Sequence, residues 1–177
     1  MFNAFLSFVV SILWSLGCIR DFTLFSVSRI RVRLRNFIDL FMMVTRFLLP
    51  LPFVDQLRFD TSLFSTITGI IIILVGLYFI SAGVYKIHIK LLYGGKIDLV
   101  TDGVYGLVRH PIYLGDILWP IGLSILFGAV CSLTLTPIWI LFYLYTIERE
   151  EEALIKVYGD RYLEYRRRVK KLIPCVY

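Results

Sequence analysis

Cysteine is scarce: Cys18, Cys131 and Cys175 are the only three in 177 residues, and none stands at a metal-ligand spacing from another. That spacing excludes a disulfide framework and a cysteine-based zinc site as organising features. Charge is scarce too, at 18% of residues against 58% hydrophobic, with a mean hydropathy of +0.78. A soluble globule could not hide that much apolar surface, so the composition excludes that class. Acidic residues are outnumbered 13 to 19, for a net charge of +6. This excess requires no nucleic-acid partner. The cluster Arg166–Arg168 with Lys170 and Lys171 fits a membrane surface, where basic side chains favour anionic headgroups. A basic n-region is missing as well, because the first positive charge, Arg20, follows the first apolar run. A cleaved signal peptide is therefore not expected.

What the chain has is long apolar runs: Phe2–Ile19, Phe37–Val54, Phe64–Val84, Ile112–Gly128 and Val130–Ile147. A bilayer-crossing helix needs about 20 mostly apolar residues, with a range of about 17–25. Five spans are expected, the third the clearest. The second carries Asp39, Arg46, Pro50 and Pro52, and the last two read as a helical hairpin turning around Gly128–Cys131. Seventeen of the 19 basic residues fall after spans one, three and five, leaving Arg46 within a span and Arg58 on the opposite side. Lys/Arg excess marks cytoplasmic loops, so the N-terminus is expected outside and the C-terminus inside. The whole chain, 1–177, reads as one multi-span membrane domain. Residues 1–95 hold spans one to three and the start of a loop, and 96–177 hold a core with spans four and five and a C-terminal helix.

Lys90–His110 is rich in turn signals, Gly94-Gly95, Asp102-Gly103 and Gly106, and should be loop until Pro111. Proline suits a first helical position because its missing N–H has no helical partner there. Arg109 and His110 then stand at a helix entrance, where exposed N–H groups and the helix dipole favour an anion. A hydrogen-bonded interfacial histidine is the plainer reading of His110 alone. Ile147–Val169 looks like one helix leaving the membrane and lying along it. Leu154, Tyr158, Tyr162, Tyr165 and Val169 recur every three or four residues on its apolar face. Glu148, Glu150, Glu151 and Glu152 crowd its start, where like charges repel unless cations partner them. Within the apolar runs, Arg46 and Asp116 are ionisable groups that cost much there and need a cavity or a partner. A mutual pair is one possibility and a packing or interfacial role another. Gly69, Gly76 and Gly83 recur every seven residues, as in close helix packing.

Two motifs stand out: Arg109-His110-Pro111-Ile112-Tyr113 and, across the hairpin, Glu150-Glu151-x-x-Leu154. With Leu99-Val100-Thr101-x-Gly103-Val104-Tyr105 before them and Tyr158-Gly159-x-x-Tyr162-x-x-Tyr165 after, they resemble the isoprenylcysteine carboxyl methyltransferase family from about Lys96 to Pro174. The resemblance implies an all-α integral membrane fold, with a C-terminal amphipathic helix over a cytoplasmic cofactor pocket. It implies S-adenosyl-L-methionine as cofactor and a prenylated or other lipid-like acceptor, with no metal. The cofactor residues it implies are Leu99, Val100, Tyr105, His110, Pro111, Ile112, Tyr113, Glu150 and Glu151. Ile97 and Asp98 align with the same strip, and Glu152 is an extra. Where the family places an arginine four residues before the first glutamate, this chain has Thr146. Arg149 and Arg46 are therefore the basic residues expected at the acceptor. Methyl transfer from a sulfonium to a carboxylate is a direct displacement needing no covalent enzyme intermediate. Three rival readings are open: a phospholipid N-methyltransferase, an NADPH-dependent sterol-type reductase sharing Tyr158-Gly159, Tyr165 and Ile173-Pro174, and a non-enzymatic membrane scaffold.

Overall fold

The computed structural model of the chain describes residues 46, 48–94 and 98–173. The expected first span, the arginines after it, most of the second span, and Lys96 and Ile97 lie outside the described residues. Five helices are present among those described: α1 (Leu63–Gly94), α2 (Val104–Leu107), α3 (Pro111–Leu126), α4 (Val130–Tyr158) and α5 (Asp160–Arg168). Extended pairing among them is confined to two isolated bridges, Arg58 with Ala129 and Val108 with Lys170.

Among the described residues two stretches are long and apolar enough to cross a bilayer, Leu63–Ile87 of 25 residues in α1 and Val130–Tyr158 of 29 residues. Only 11% of the most apolar stretch of α1 is buried. A contiguous apolar surface of that kind marks contact with lipid or another protein. α3 is equally apolar but has 16 residues, about 24 Å at roughly 1.5 Å per residue, short of the ~30 Å hydrocarbon core. It starts at Pro111, as the proline's chemistry predicts, and carries Pro120 within.

Contacts divide the chain into two compact units, one combining the chain up to Ile71 with Pro120–Phe142, the other Ile72–Trp119 with the chain from Tyr143 onward. The division falls inside α1, α3 and α4. In the first unit Leu49, Leu135 and Trp139 form the core. Arg58 there donates to the carbonyls of Pro50, Leu51, Val54 and Phe127 at 2.6 to 3.2 Å, clipping the approach to α1 onto the end of α3. The turn into α4 needs Gly128, whose φ is 65° and where a Cβ would lie 2.3 Å from the Phe59 carbonyl oxygen. Ser124 and Ser132 share a 2.7 Å hydrogen bond across that turn.

In the second unit the glycine stripe lets backbones touch. A Cβ on Gly115 would sit 2.4 Å from the Gly76 carbonyl oxygen, and one on Gly83 would sit 2.7 Å from the Ile112 side chain. Tyr143 of α4 donates to Asp116 of α3 at 3.2 Å. The C-terminal helix departs from expectation. α4 continues unbroken to Tyr158, and the chain breaks at Gly159, with φ 54°, before α5 begins. Nothing lies within 4 Å of a Cβ there, so glycine is needed for its left-handed backbone and not for space. α5 then turns Tyr162 and Tyr165 inward and ends in Arg166, Arg167 and Arg168, cations well placed at a helix C-terminus. The expected loop before Pro111 also contains the single turn α2.

Because Gly115 is packed against backbone, Gly115→Ala forces a shift of α1 or α3. Overpacking of this kind typically costs about 1–3 kcal/mol, so the melting temperature in detergent should fall by several degrees. An unchanged melting temperature would contradict the packing described.

Candidate functional site

The second unit contains a cavity of about 340 Å³, within the roughly 300–1,000 Å³ of small-molecule pockets. The strip before α2 supplies Asp98, Leu99 and Val100, α2 supplies Tyr105, and the start of α3 supplies Arg109 to Tyr113. Glu150, Leu154 and Tyr158 come from α4, Tyr162 and Tyr165 from α5, and Ile87 from α1. The strip is tied down at several points. Arg161 holds both carboxylate oxygens of Asp98 at 2.9 Å, and the Tyr165 hydroxyl donates to the Tyr105 carbonyl at 2.7 Å. Lys86 is ion-paired with Asp102.

Behind the pocket wall lies Glu151, 1% exposed. Its Oε1 accepts from Arg109 Nε at 2.8 Å, with Arg109 Nη2 also at 2.8 Å, and meets His110 Nε2 at 3.1 Å. Its Oε2 faces Arg166 Nε at 3.4 Å. Arg109 spends its remaining donors on the carbonyls of Arg166 and Val169. The backbone follows suit: the N–H groups of Arg109 and His110 bond the carbonyls of Lys170 and Lys171 at 2.8 and 3.2 Å. Those two N–H groups are thus already used, and any anion at the entrance to α3 must rely on the helix end itself. One carboxylate therefore pins the entrance of α3, the end of α5 and the chain beyond it.

The crowding of glutamates is resolved by pairing. Glu148 meets Lys171, Glu151 the cluster above, and Glu152 the exposed Arg149 at 3.1 Å. Glu150, with its side chain 46% exposed, has only His110 Nδ1 as an ionic neighbour among the described residues, at 3.9 Å. It is the glutamate that faces the cavity. Burial first, and then the Glu150 charge, push the Tyr105 phenol up to about 12. Burial also raises Tyr162 and Tyr165. Ionisation of these phenols is therefore disfavoured.

Of the residues expected at the cofactor, Leu99, Val100, Tyr105, His110, Pro111, Ile112, Tyr113 and Glu150 line the cavity. Glu151 does not line it but stands behind His110 and Arg109. Arg149 and Arg46 are not among the lining residues. Arg149 is one residue from Glu150, which on a helix turns its side chain about 100° away, and it bonds Glu152 and Tyr145. Arg46 is buried in the first unit. The sequence reading missed the Arg161–Asp98 clamp, which joins positions 63 residues apart and leaves no local signal. It also gave Tyr158, Tyr162 and Tyr165 a packing role, because their helical spacing reads equally as core.

Fold and site together define a helical membrane protein with a pocket walled by carboxylates and tyrosines. The phospholipid methyltransferase family model matches residues 64–161. The chain belongs to that family. It is 39% identical over 79 residues to the protein-S-isoprenylcysteine O-methyltransferase of Schizosaccharomyces pombe, covering 44% of this chain and 34% of the relative. The human protein of the same name is 38% identical over 80 residues, covering 44% and 28%. Protein-S-isoprenylcysteine O-methyltransferase A of Arabidopsis thaliana is 35% identical over 115 residues, covering 61% and 58%. The matched region thus spans about a third of the fission-yeast relative and just over half of the plant one. No solved structure matches the chain.

The neighbouring glutamates should separate cleanly on mutation. Glu151→Ala leaves Arg109 buried without its partner, a change that typically costs about 3–5 kcal/mol. Glu150→Ala removes an exposed group and should leave the melting temperature nearly unchanged. Equal thermal losses in the two variants would contradict the assignment.

Proposed function

We propose that this chain is an integral membrane methyltransferase that uses S-adenosyl-L-methionine and acts on a lipid-like acceptor, with the carboxylate of a prenylated cysteine as the first choice. The observation that carries the reading is the convergence of His110, Tyr113 and Glu150 on one cavity, beside helices whose apolar faces are open. The names of the relatives, isoprenylcysteine O-methyltransferases, support the choice of acceptor.

The donor set fits the cofactor. Glu150 is an ionic acceptor on the wall, suited to an ammonium or to ribose hydroxyls, because charged acceptors make the stronger hydrogen bonds. Tyr105, Tyr113, Tyr158, Tyr162 and Tyr165 supply ring faces, which attract a cation such as a sulfonium and can also stack a base. When bound, S-adenosylmethionine supplies the methyl group. The residues of the chain hold the two reactants in line and keep water out. Alignment of this kind contributes up to roughly 7–11 kcal/mol in well-oriented intramolecular reactions. Neither metal nor covalent intermediate is required. In this reading the pocket faces the cytosol, with the N-terminus outside and five spans, as the basic-residue asymmetry favours. The lipid tail of the acceptor stays in the bilayer.

N-methylation of an aminophospholipid is the second reading. It is favoured by Arg109 and Arg149 being committed to Glu151 and Glu152, which leaves neither free for an acceptor carboxylate.

Isothermal titration of the detergent-purified protein should show binding of S-adenosylhomocysteine and much weaker binding of NADPH. Glu150→Ala should weaken the former by roughly tenfold to a hundredfold, the worth of one hydrogen bond to a charged group. A clear preference for NADPH would sink the methyltransferase reading in favour of a reductase.

A further inference from the structure

Of the basic residues Arg166, Arg167, Arg168, Lys170 and Lys171, three are committed within the fold. Lys171, its side chain 8% exposed, pairs with Glu148. Arg166 turns its Nε to Glu151 Oε2 at 3.4 Å, and Arg168 stands 3.7 Å from Glu164. Arg167 and Lys170 are exposed and have no ion pair among the described residues.

Two tethers fix where Lys170 lies. Its carbonyl accepts from the Arg109 N–H at 2.8 Å, and the Lys171 carbonyl accepts from the His110 N–H at 3.2 Å. Lys170 is therefore beside the two residues that precede Pro111 and the apolar α3. The Lys171 side chain reaches Glu148, the first charged residue after the apolar run of α4 that ends at Ile147. Both tethers belong to the second unit, and both mark a point where an apolar helix meets charge. Exposed apolar side chains flank Lys170 in the chain and across the bridge. Ile173, three residues on, is 52% exposed, and Leu107, next to the Val108 that bridges to Lys170, is 54% exposed. Cations among exposed apolar side chains, at the ends of apolar helices, match a bilayer surface with negative headgroups. A soluble polyanion would match the charges alone and leave the apolar pair without a partner.

We propose that Arg167 and Lys170 form a docking surface for anionic phospholipid headgroups, and that docking there restrains the Val169–Lys171 segment against the entrance of α3. The coupling runs through one residue: the side chain of Lys170 meets the headgroup, while its carbonyl holds the amide of Arg109, which lines the pocket. The lipid around the protein thereby sets how firmly one pocket wall is held. This does not depend on the methyltransferase reading, since it involves neither cofactor nor acceptor.

The test uses the full chain in nanodiscs of phosphatidylcholine, alone or mixed with phosphatidylglycerol. Retained lipids are counted by native mass spectrometry, and hydrogen exchange is followed at the Arg109 and His110 amides. The parent should retain phosphatidylglycerol preferentially, and both amides should exchange several-fold more slowly in the anionic membrane. A basic residue near an anionic surface is worth about fivefold in affinity. Arg167→Gln combined with Lys170→Gln should therefore cut the preference by roughly twentyfold and remove the difference in exchange. Both side chains are exposed, so the melting temperature in detergent should hardly move; the single variants, each losing about fivefold, serve if the double one does not fold. Lys156→Gln is the control and should keep the preference. It removes an exposed cation on α4 eight residues past Glu148, about 12 Å beyond the boundary at roughly 1.5 Å per residue. The proposal is overturned by a parent without lipid preference, by exchange that ignores lipid charge, by a preference that survives the substitutions, or by an equal loss in Lys156→Gln. Inorganic phosphate or poly-glutamate slowing exchange equally well in the neutral membrane also overturns it, and assigns the surface to a soluble anion.

Discussion

A buried carboxylate, Glu151, is the constraint on which the rest of the site depends. Its two oxygens meet Arg109, His110 and Arg166, drawn from the entrance of α3 and the last turn of α5. Taking charges out of water is expensive, and their mutual attraction repays it only when geometry is good and the remaining donors are satisfied. Arg109 meets this condition by also capping the carbonyls of Arg166 and Val169, while Glu151 Oε2 has Arg166 Nε at 3.4 Å and accepts no hydrogen bond among the described residues. The cluster contributes placement more than net stability. It holds the chain after α5 beside the segment before α3, so that the Arg109 and His110 amides find their partners in Lys170 and Lys171.

Placement of the adjacent Glu150 follows directly. Successive residues on a helix point about 100° apart, so fixing Glu151 inward turns Glu150 toward the cavity. The pair divides the labour, one holding the wall and the other facing the cavity. The glycines do the same for the helices. Gly76 and Gly115 bring α1 and α3 into backbone contact, and Ile87 near the end of α1 thereby reaches the pocket.

Much of this was legible in the sequence. Hydropathy located the three long helices among the described residues, Pro111 marked a helix start, and the glycine spacing marked a packed face. Eight of the fifteen residues that line the pocket were among those expected at the cofactor, because they sit in short contiguous runs. Other features were not legible, for physical reasons. Glu150 and Glu151 are identical in type, and only three-dimensional burial separates the buried holder from the cavity-facing group. The Gly159 break was hidden because the apolar spacing of Tyr158, Tyr162 and Tyr165 continues across it as if the helix did. Arg149 looked close to the site by number, yet lies one residue round the helix. Pairings across long sequence separations, such as Arg161 with Asp98, carry no periodic signal at all.

Hydrogen exchange at the Arg109 and His110 amides tests the role of Glu151 most directly. In the parent both amides should be protected by Lys170 and Lys171. In Glu151→Gln both should exchange markedly faster, while amides in the middle of α3 remain slow. Protection of Arg109 and His110 that is unchanged by the substitution would show that the carboxylate does not hold the site together.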